Sequence, residues 1–189
     1  FDDKVPSAVI LEPESLTKLT LPSPESTCQG PATTEAYTKG LAYAIDTISI
    51  RAPNTAIYLD GGNGGEMGWG PRVHEFALML QKVLEGDRIK RIRGFATNIG
   101  GYQPTGVPCP IGRKLTLPRY CREHPEEVCC EDQCQTLRDF GSGNNELNYA
   151  QLLRRMLGVA IPGFEPHFVI DTGRNGGSEG RSSCESTCN

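Results

Sequence analysis

The sequence predicts an α/β fold built on parallel strands. Three observations carry this reading: four short apolar runs that each end in polar residues, amphipathic helical spacing between them, and a supply of Gly (22) and Pro (14) for the loops that join them. Such strand–helix alternation implies βαβ units with right-handed crossovers. A length of 189 residues suits one domain, spanning 1–189.

The first run is Ala8-Val9-Ile10-Leu11 before Glu12, and the second is Ala56-Ile57-Tyr58-Leu59 before Asp60. The third, Ile92-Arg93-Gly94-Phe95-Ala96, ends at Thr97-Asn98, and the fourth, His167-Phe168-Val169-Ile170, ends at Asp171. Three of them are nearly continuous in apolar character, as strands buried on both faces of a parallel sheet are. Helical patterns fill the gaps. Within 35–49, Leu41, Ala44, Ile45 and Ile48 recur at i, i+3, i+4 and i+7, with Thr33 or Thr34 as the N-cap. From Pro71 to Glu85, Phe76, Ala77, Leu80, Val83 and Leu84 make one face, with Pro71 at the first helical position and Gly86 as the stop. From Glu146 to Leu157, Leu147, Ala150, Leu153 and Leu157 repeat, with Asn144 or Asn145 as cap and Gly158 as stop. The order is β-α-β-α-β, a cysteine-rich loop, then α-β and a tail, without internal repeats.

The net charge of −4 argues against a nucleic-acid partner, whose phosphates need a basic face. No apolar run approaches the roughly 20 residues of a membrane span. The opening FDDKVP has neither the basic nor the apolar segment of a leader, so none is expected in this numbering. Eight cysteines, even in number and placed in loops, predict disulfides and hence a secreted protein. The rival is a zinc site, for which Cys130-x3-Cys134 and Cys184-x3-Cys188 have nearly suitable spacing. With disulfides, no metal and no cofactor are expected. Residues 109–134 form a cysteine-rich insertion, in which adjacent Cys129 and Cys130 should each bond elsewhere.

In folds of this kind the chemistry gathers at the C-terminal ends of the strands. Those ends carry Glu12-Pro13-Glu14-Ser15, Asp60 with the glycine-rich Gly61–Gly70 loop, Thr97-Asn98, and Asp171-Thr172-Gly173-Arg174. The glycine loop fails both nucleotide-binding fingerprints, because Met67 stands where the third dinucleotide glycine belongs and no G-x-x-x-x-G-K-[ST] occurs. Glycine alone would support a flexible loop. Trp69, the only tryptophan, argues instead for a stacking surface at the strand tips. Gly176-Gly177-Ser178-Glu179-Gly180 matches a nucleophile elbow in letters only: no helix pattern follows Ser178, and His74, His124 and His167 all precede it. The carboxylates Glu12, Glu14, Asp60 and Asp171 remain. Paired carboxylates beside an indole are the apparatus of glycoside hydrolysis, and Asp60, which begins the loop bearing Trp69, is the leading candidate acid. The plainer alternative is that Asp60 and Asp171 only cap the following loops.

Four segments, in order, resemble glycoside hydrolase family 6, the cellobiohydrolase II-like cellulases. Val9-Ile10-Leu11-Glu12-Pro13-Glu14-Ser15-Leu16 is similar to the family's "IEPDSL", and Tyr58-Leu59-Asp60-Gly61-Gly62-Asn63-Gly64 to the start of "YLDAGHAGWLGWP". Gly94-Phe95-Ala96-Thr97-Asn98 resembles "G-L/F-A-T-N", and Phe168-Val169-Ile170-Asp171-Thr172-Gly173-Arg174-Asn175-Gly176 resembles "FIIDQGRSG". The resemblance implies a partial or distorted β/α barrel and inverting hydrolysis of β-1,4-glucosidic bonds in cellulose or a related β-glucan. It implies that Asp60 and Asn98 contact a cello-oligosaccharide, that Trp69 stacks on a glucosyl ring, and that Arg174 pairs with an active-site carboxylate. Glu12 and Asn63, at the same tips, complete the candidate substrate contacts. Two departures, Glu66 for a family tryptophan and Asn63 for the loop histidine, would reshape the product-side sugar sites. The family's acid and base segments have no counterpart in the chain, so the expectation is either one piece of a processed enzyme, whose barrel a second polypeptide completes, or a piece of a larger chain. The other reading is a non-catalytic carbohydrate-binding or structural descendant of that family.

Overall fold

The structure, a computed structural model, describes residues 5–21, 30–112, 115–132 and 135–173. Its centre is a four-stranded parallel sheet of β1 (Ser7–Leu11), β2 (Thr55–Asp60), β3 (Ile92–Thr97) and β4 (His167–Ile170), in the order β1-β2-β3-β4. The helices are α1 (Pro31–Arg51), α2 (Gly64–Met67), α3 (Gly70–Val83), α4 (Leu117–Glu123) and α5 (Glu146–Ala160). Each strand lies beside the next in sequence, and right-handed crossovers in one direction set the connecting helices on one face, as in a stretch of β/α barrel.

The core fills the space between that face and the helices. Val9, Leu11, Ile57, Leu59, Phe95 and Phe168 point into it and meet Leu41 and Ile45 of α1, Phe76 and Leu80 of α3, and Leu153 and Leu157 of α5. Phe95 is its hub, with ring centroids 6.1 Å from Phe76, 6.2 Å from Phe164 and 6.3 Å from Phe168. β3 reaches this position through a bulge. Ile57 pairs with Ile92 but Tyr58 pairs with Gly94, so exposed Arg93 is an extra residue and Phe95 still faces the helices. Gly94 is sterically required, because a β-carbon there would run into the His167 backbone of β4.

The expectation of strands buried on both faces holds for β3 but not for the outer pair. β1 and β4 alternate between half-buried and exposed residues, leaving Ile10 37% and Val169 42% exposed. They are the sheet's edges, and among the described residues nothing packs on their second face. Helix boundaries differ as well. α1 begins at Pro31, whose ring pre-sets the first helical φ, with extended Gly30 rather than Thr33 or Thr34 as N-cap. α5 runs through Gly158 to Ala160, because what stops it is Ile161, held out of the helical region by the following Pro162. Gly86, with φ 69°, lies just past the end of α3 and opens a 3-10 turn to Lys90.

The insertion has its own small core of Cys109, Leu117, Cys121, Cys129 and Cys130. Disulfides join Cys109 to Cys129 and Cys121 to Cys130, so the adjacent cysteines bond elsewhere as expected. Sulfurs of Cys109, Cys129 and Cys130 lie close enough to suit a metal, but as disulfides they offer no thiolate. Cys28, Cys134, Cys184 and Cys188 lie outside the described residues.

Candidate functional site

The strand tips converge and are tied to one another by side chain–backbone hydrogen bonds. At the end of β1, Glu12 (φ 50°) and Glu14 (φ 62°) take left-handed backbone conformations, which cost a non-glycine residue roughly 1–3 kcal/mol each. That turn aims the Glu14 N–H at Asp60, whose Oδ2 accepts at 2.9 Å. The Glu14 side chain extends over Gly100, where a β-carbon would strike it. The β1 and β3 loops therefore close above Asp60, which is only 2% exposed.

At the end of β3, Asn98 is again left-handed (φ 68°) and fully buried. Its Nδ2 donates to Gln103 O at 3.1 Å and Asp171 O at 3.0 Å, while Oδ1 accepts from Gln103 N at 2.8 Å. One amide thus folds the β3 loop and fixes the β4 tip. Asp171 closes its own turn by accepting from Gly173 N at 2.8 Å. Arg174 and Ser178 lie outside the described residues.

After β2 the glycine loop is ordered into α2. Asn63 is its N-cap, accepting from Glu66 N at 3.2 Å, and is 3% exposed. The glycines permit close packing: Gly64 and Gly68 lie against the backbone of Gly143, with no room for a β-carbon at any of the three. Trp69 is the N-cap residue of α3 and half-buried. Its Nε1 donates to Asp139 O at 3.2 Å, and the Arg72 guanidinium sits 4.5 Å over the ring. Arg72 is itself held by Glu66 O.

Beneath this loop lies a carboxyl group that sequence reasoning used only as a helix start. Glu146, in the first turn of α5, is fully buried. Its Oε2 accepts from Gly64 N at 3.1 Å and Gln103 Nε2 at 2.8 Å, and Thr97 faces it without closing a full hydrogen bond. Tyr149, one turn on, donates to Gly61 O. Burial pushes Glu146 up to about 7, against the lowering effect of those donors, and the charge of Asp60 adds to the rise. Asp60 is also raised, first by burial and then by Glu14 and Glu66, against the lowering N–H groups of Glu14 and Gly62. The Tyr149 phenol is pushed well up by burial among the same carboxylates. A glutamate in a first helical turn normally serves the helix dipole at the surface. The signal that marks this one is its company: Asn144, Asn145 and Asn148 are buried beside it.

Of the candidate residues, Glu12, Asp60, Asn63, Trp69 and Asn98 all lie on these linked tips. Glu12 is exposed; Asp60, Asn63 and Asn98 are buried with polar atoms bonded to the protein. The site is a buried acidic floor roofed by Glu14, from which the loop after β2 leads to the Trp69 indole.

Comparison with known proteins places this arrangement in a lineage. The profile described as Glycosyl hydrolases family 6 matches residues 2–189. The 1,4-beta-D-glucan cellobiohydrolase CEL6C of Podospora anserina is 29% identical over 183 residues, which are 96% of this chain and 39% of that protein. Exoglucanase-6A of Humicola insolens is 25% identical over 93% of this chain and 31% of its own length. The crystal structure of CcCel6C, a glycoside hydrolase family 6 enzyme from Coprinopsis cinerea, superposes with a TM-score of 0.67 at 27% identity, over 96% of this chain and 42% of that one. The chain therefore spans between 31% and 42% of these relatives. With its parallel sheet, its linked strand tips and a match along nearly its whole length, the chain belongs to glycosyl hydrolases family 6.

Proposed function

We propose that the protein hydrolyses β-1,4-glucosidic bonds of cellulose or a related β-glucan with inversion. The observation that carries this is Asp60: a carboxyl group at a strand tip, beside the loop of the sole tryptophan, with its pKa raised by burial in a chain of this family. A carboxyl that holds its proton above the usual range is suited to protonate a leaving glycosidic oxygen. Glu14 and Glu66, whose charges act on Asp60, are candidates for the second carboxyl group of such a pair. Trp69 would stack on a glucosyl ring by its uncovered surface, Glu12 would meet sugar hydroxyls, and Asn63 and Asn98 would shape the floor. Arg174 would pair with a carboxylate of the cluster. Residues 1–189 would act as one domain with 109–134 as its insertion, in a secreted enzyme. No described helix is long and apolar enough to cross a membrane. Further polypeptide would cover the second sheet face and complete the barrel. A second reading, a carbohydrate-binding descendant without catalysis, is favoured by one observation: Asp60 is 2% exposed.

The test uses protein purified from its native source with whatever polypeptide accompanies it. The expected result is release of α-anomeric product from soluble β-1,4-glucan, lost in Asp60→Asn. Trp69→Ala should weaken cellotetraose binding by roughly 1–3 kcal/mol, by analogy with base–aromatic stacking. Binding without hydrolysis would establish the second reading. No binding at all would overturn both.

A further inference from the structure

Three buried polar atoms lack a hydrogen-bond partner among the described residues: Asp60 Oδ1, Thr97 Oγ1 and Glu146 Oε1. Thr97 faces Glu146, and the charge of Asp60 reaches the Glu146 carboxyl. With both carboxyls ionised, Glu146 Oε1 would have the Thr97 hydroxyl as its nearest donor, while Asp60 draws on the N–H groups of Glu14 and Gly62. A proton on Glu146 Oε1 supplies a second donor. Oε2 of the same group meanwhile holds Gly64 N and Gln103 Nε2, and Gln103 is the residue on which the Asn98 amide closes. Glu146 thus joins α5 to the loop after β2 and to the loop after β3.

We propose that Glu146 is a positioning residue of the sugar site, its buried carboxyl tying the first turn of α5 to Gly64 and Gln103 and so fixing the Gly61–Trp69 loop that aims the indole. This rests on the reading of the site given above. The titratable groups gathered there are Asp60 from β2, Glu66 from α2, Glu14 from the β1 loop and Tyr149 from α5 itself; Thr97 and Gln103 add no charge. The folded carboxyl titrates at about 7 and the unfolded one at 4.5, so the native state takes up the proton more readily. Stability from this group is fully present below about 4.5, declines as pH rises from there, and is gone above about 7. Above that value an ionised Glu146 meets the charge of Asp60 without its own proton, and the loop loosens.

Trp69 is the only tryptophan and reports the loop directly. Its acrylamide quenching, followed between about pH 5.5 and 8.5, should show one transition near 7 in the wild type, roughly a twofold rise. Thermal midpoint should fall from the acid end of this range and level off above about 7. Glu146→Gln, which keeps a donor and cannot ionise, should hold the low-pH quenching and a flat thermal midpoint throughout. His74→Gln, which removes the imidazole of α3, should titrate as the wild type does. A Glu146→Gln protein that titrates like the wild type, or loses the transition in company with His74→Gln, overturns the proposal. Glu146→Ala should be quenched at every pH if it folds; the glutamine variant decides the matter if it does not. Cellotetraose binding, measured alongside, should weaken about fivefold above the transition in the wild type only. Absence of cellotetraose binding with the Trp69 transition intact overturns the sugar-site reading and leaves the role of Glu146 in fixing the loop standing.

Discussion

Asn98 shows how much one residue can be asked to do at a strand tip. Its backbone is left-handed, its side chain makes three hydrogen bonds to main-chain groups, and no part of it meets solvent. Those two demands can be separated by substitution. Asn98→Ala loses the bonds and keeps the unfavourable φ, whereas Asn98→Gly loses the same bonds and relieves the backbone. Both should destabilise, by about 3 kcal/mol for alanine and about 1 kcal/mol less for glycine, in urea denaturation. Equal losses would show that the backbone carries no strain there. The sequence marked Asn98 and Asp60 as strand-end polar residues, and it marked Trp69 as unusual in its loop. It did not mark Glu146, because a first-turn glutamate looks the same whether it faces water or the protein interior. Nor does a sequence show left-handed φ at Glu12 and Glu14, where a glycine would have signalled it and a glutamate conceals it.

At the level of elements, the first turn of α5 binds two parts of the molecule together. Asn144 Nδ2 donates to Cys129 O at 3.0 Å and Glu131 O at 2.8 Å, Asn148 Nδ2 donates to Cys129 O at 3.0 Å, and Asn148 Oδ1 accepts from Cys109 N at 2.8 Å. Asn145 caps the helix by accepting from Asn148 N at 2.9 Å and reaches Val107 O at 3.1 Å. The insertion is thus fastened to the same turn that presents Glu146. Replacing the cap by Asn145→Ala should cost about 1–2 kcal/mol. The amide of Gly64, on a different element, should then exchange faster, because Glu146 sits in the turn that frays. Unchanged exchange at Gly64 would show that the cap and the loop are independent. Strands and long helices were legible to within a few residues because apolar periodicity is a local signal. The α2 turn was not: glycines that looked like slack are there so that Gly64, Gly68 and Gly143 can touch, and Gly143 lies far away in sequence.

At the scale of the whole molecule, the described residues form two cores of unlike origin. The α/β core is held by apolar burial around Phe95; the insertion is held by two disulfides closing spans of 20 and 9 residues. Loop-closure arithmetic gives each bond roughly 3 kcal/mol. Reduction should therefore melt 109–132 first, seen as lost exchange protection in α4, while β2 and β3 keep theirs. Simultaneous loss in all three would mean that the sheet depends on the insertion. Even cysteine count and loop placement made disulfides legible though not their pairing; the bareness of the edge strands' second face was not legible, since apolar runs at an edge read like apolar runs at a centre. One feature of the sheet bears on how such a chain tolerates change in length. The extra residue in β3 sits at its entry, exposed, with Ile92 before it and Gly94 and Phe95 after it. Ile92, Gly94 and Phe95 already alternate as an unbroken strand would require, so Arg93 is slack in the chain. A residue gained or lost in the turn before β3 can be taken up there, below the chemistry, and Thr97 and Asn98 keep their station at the other end.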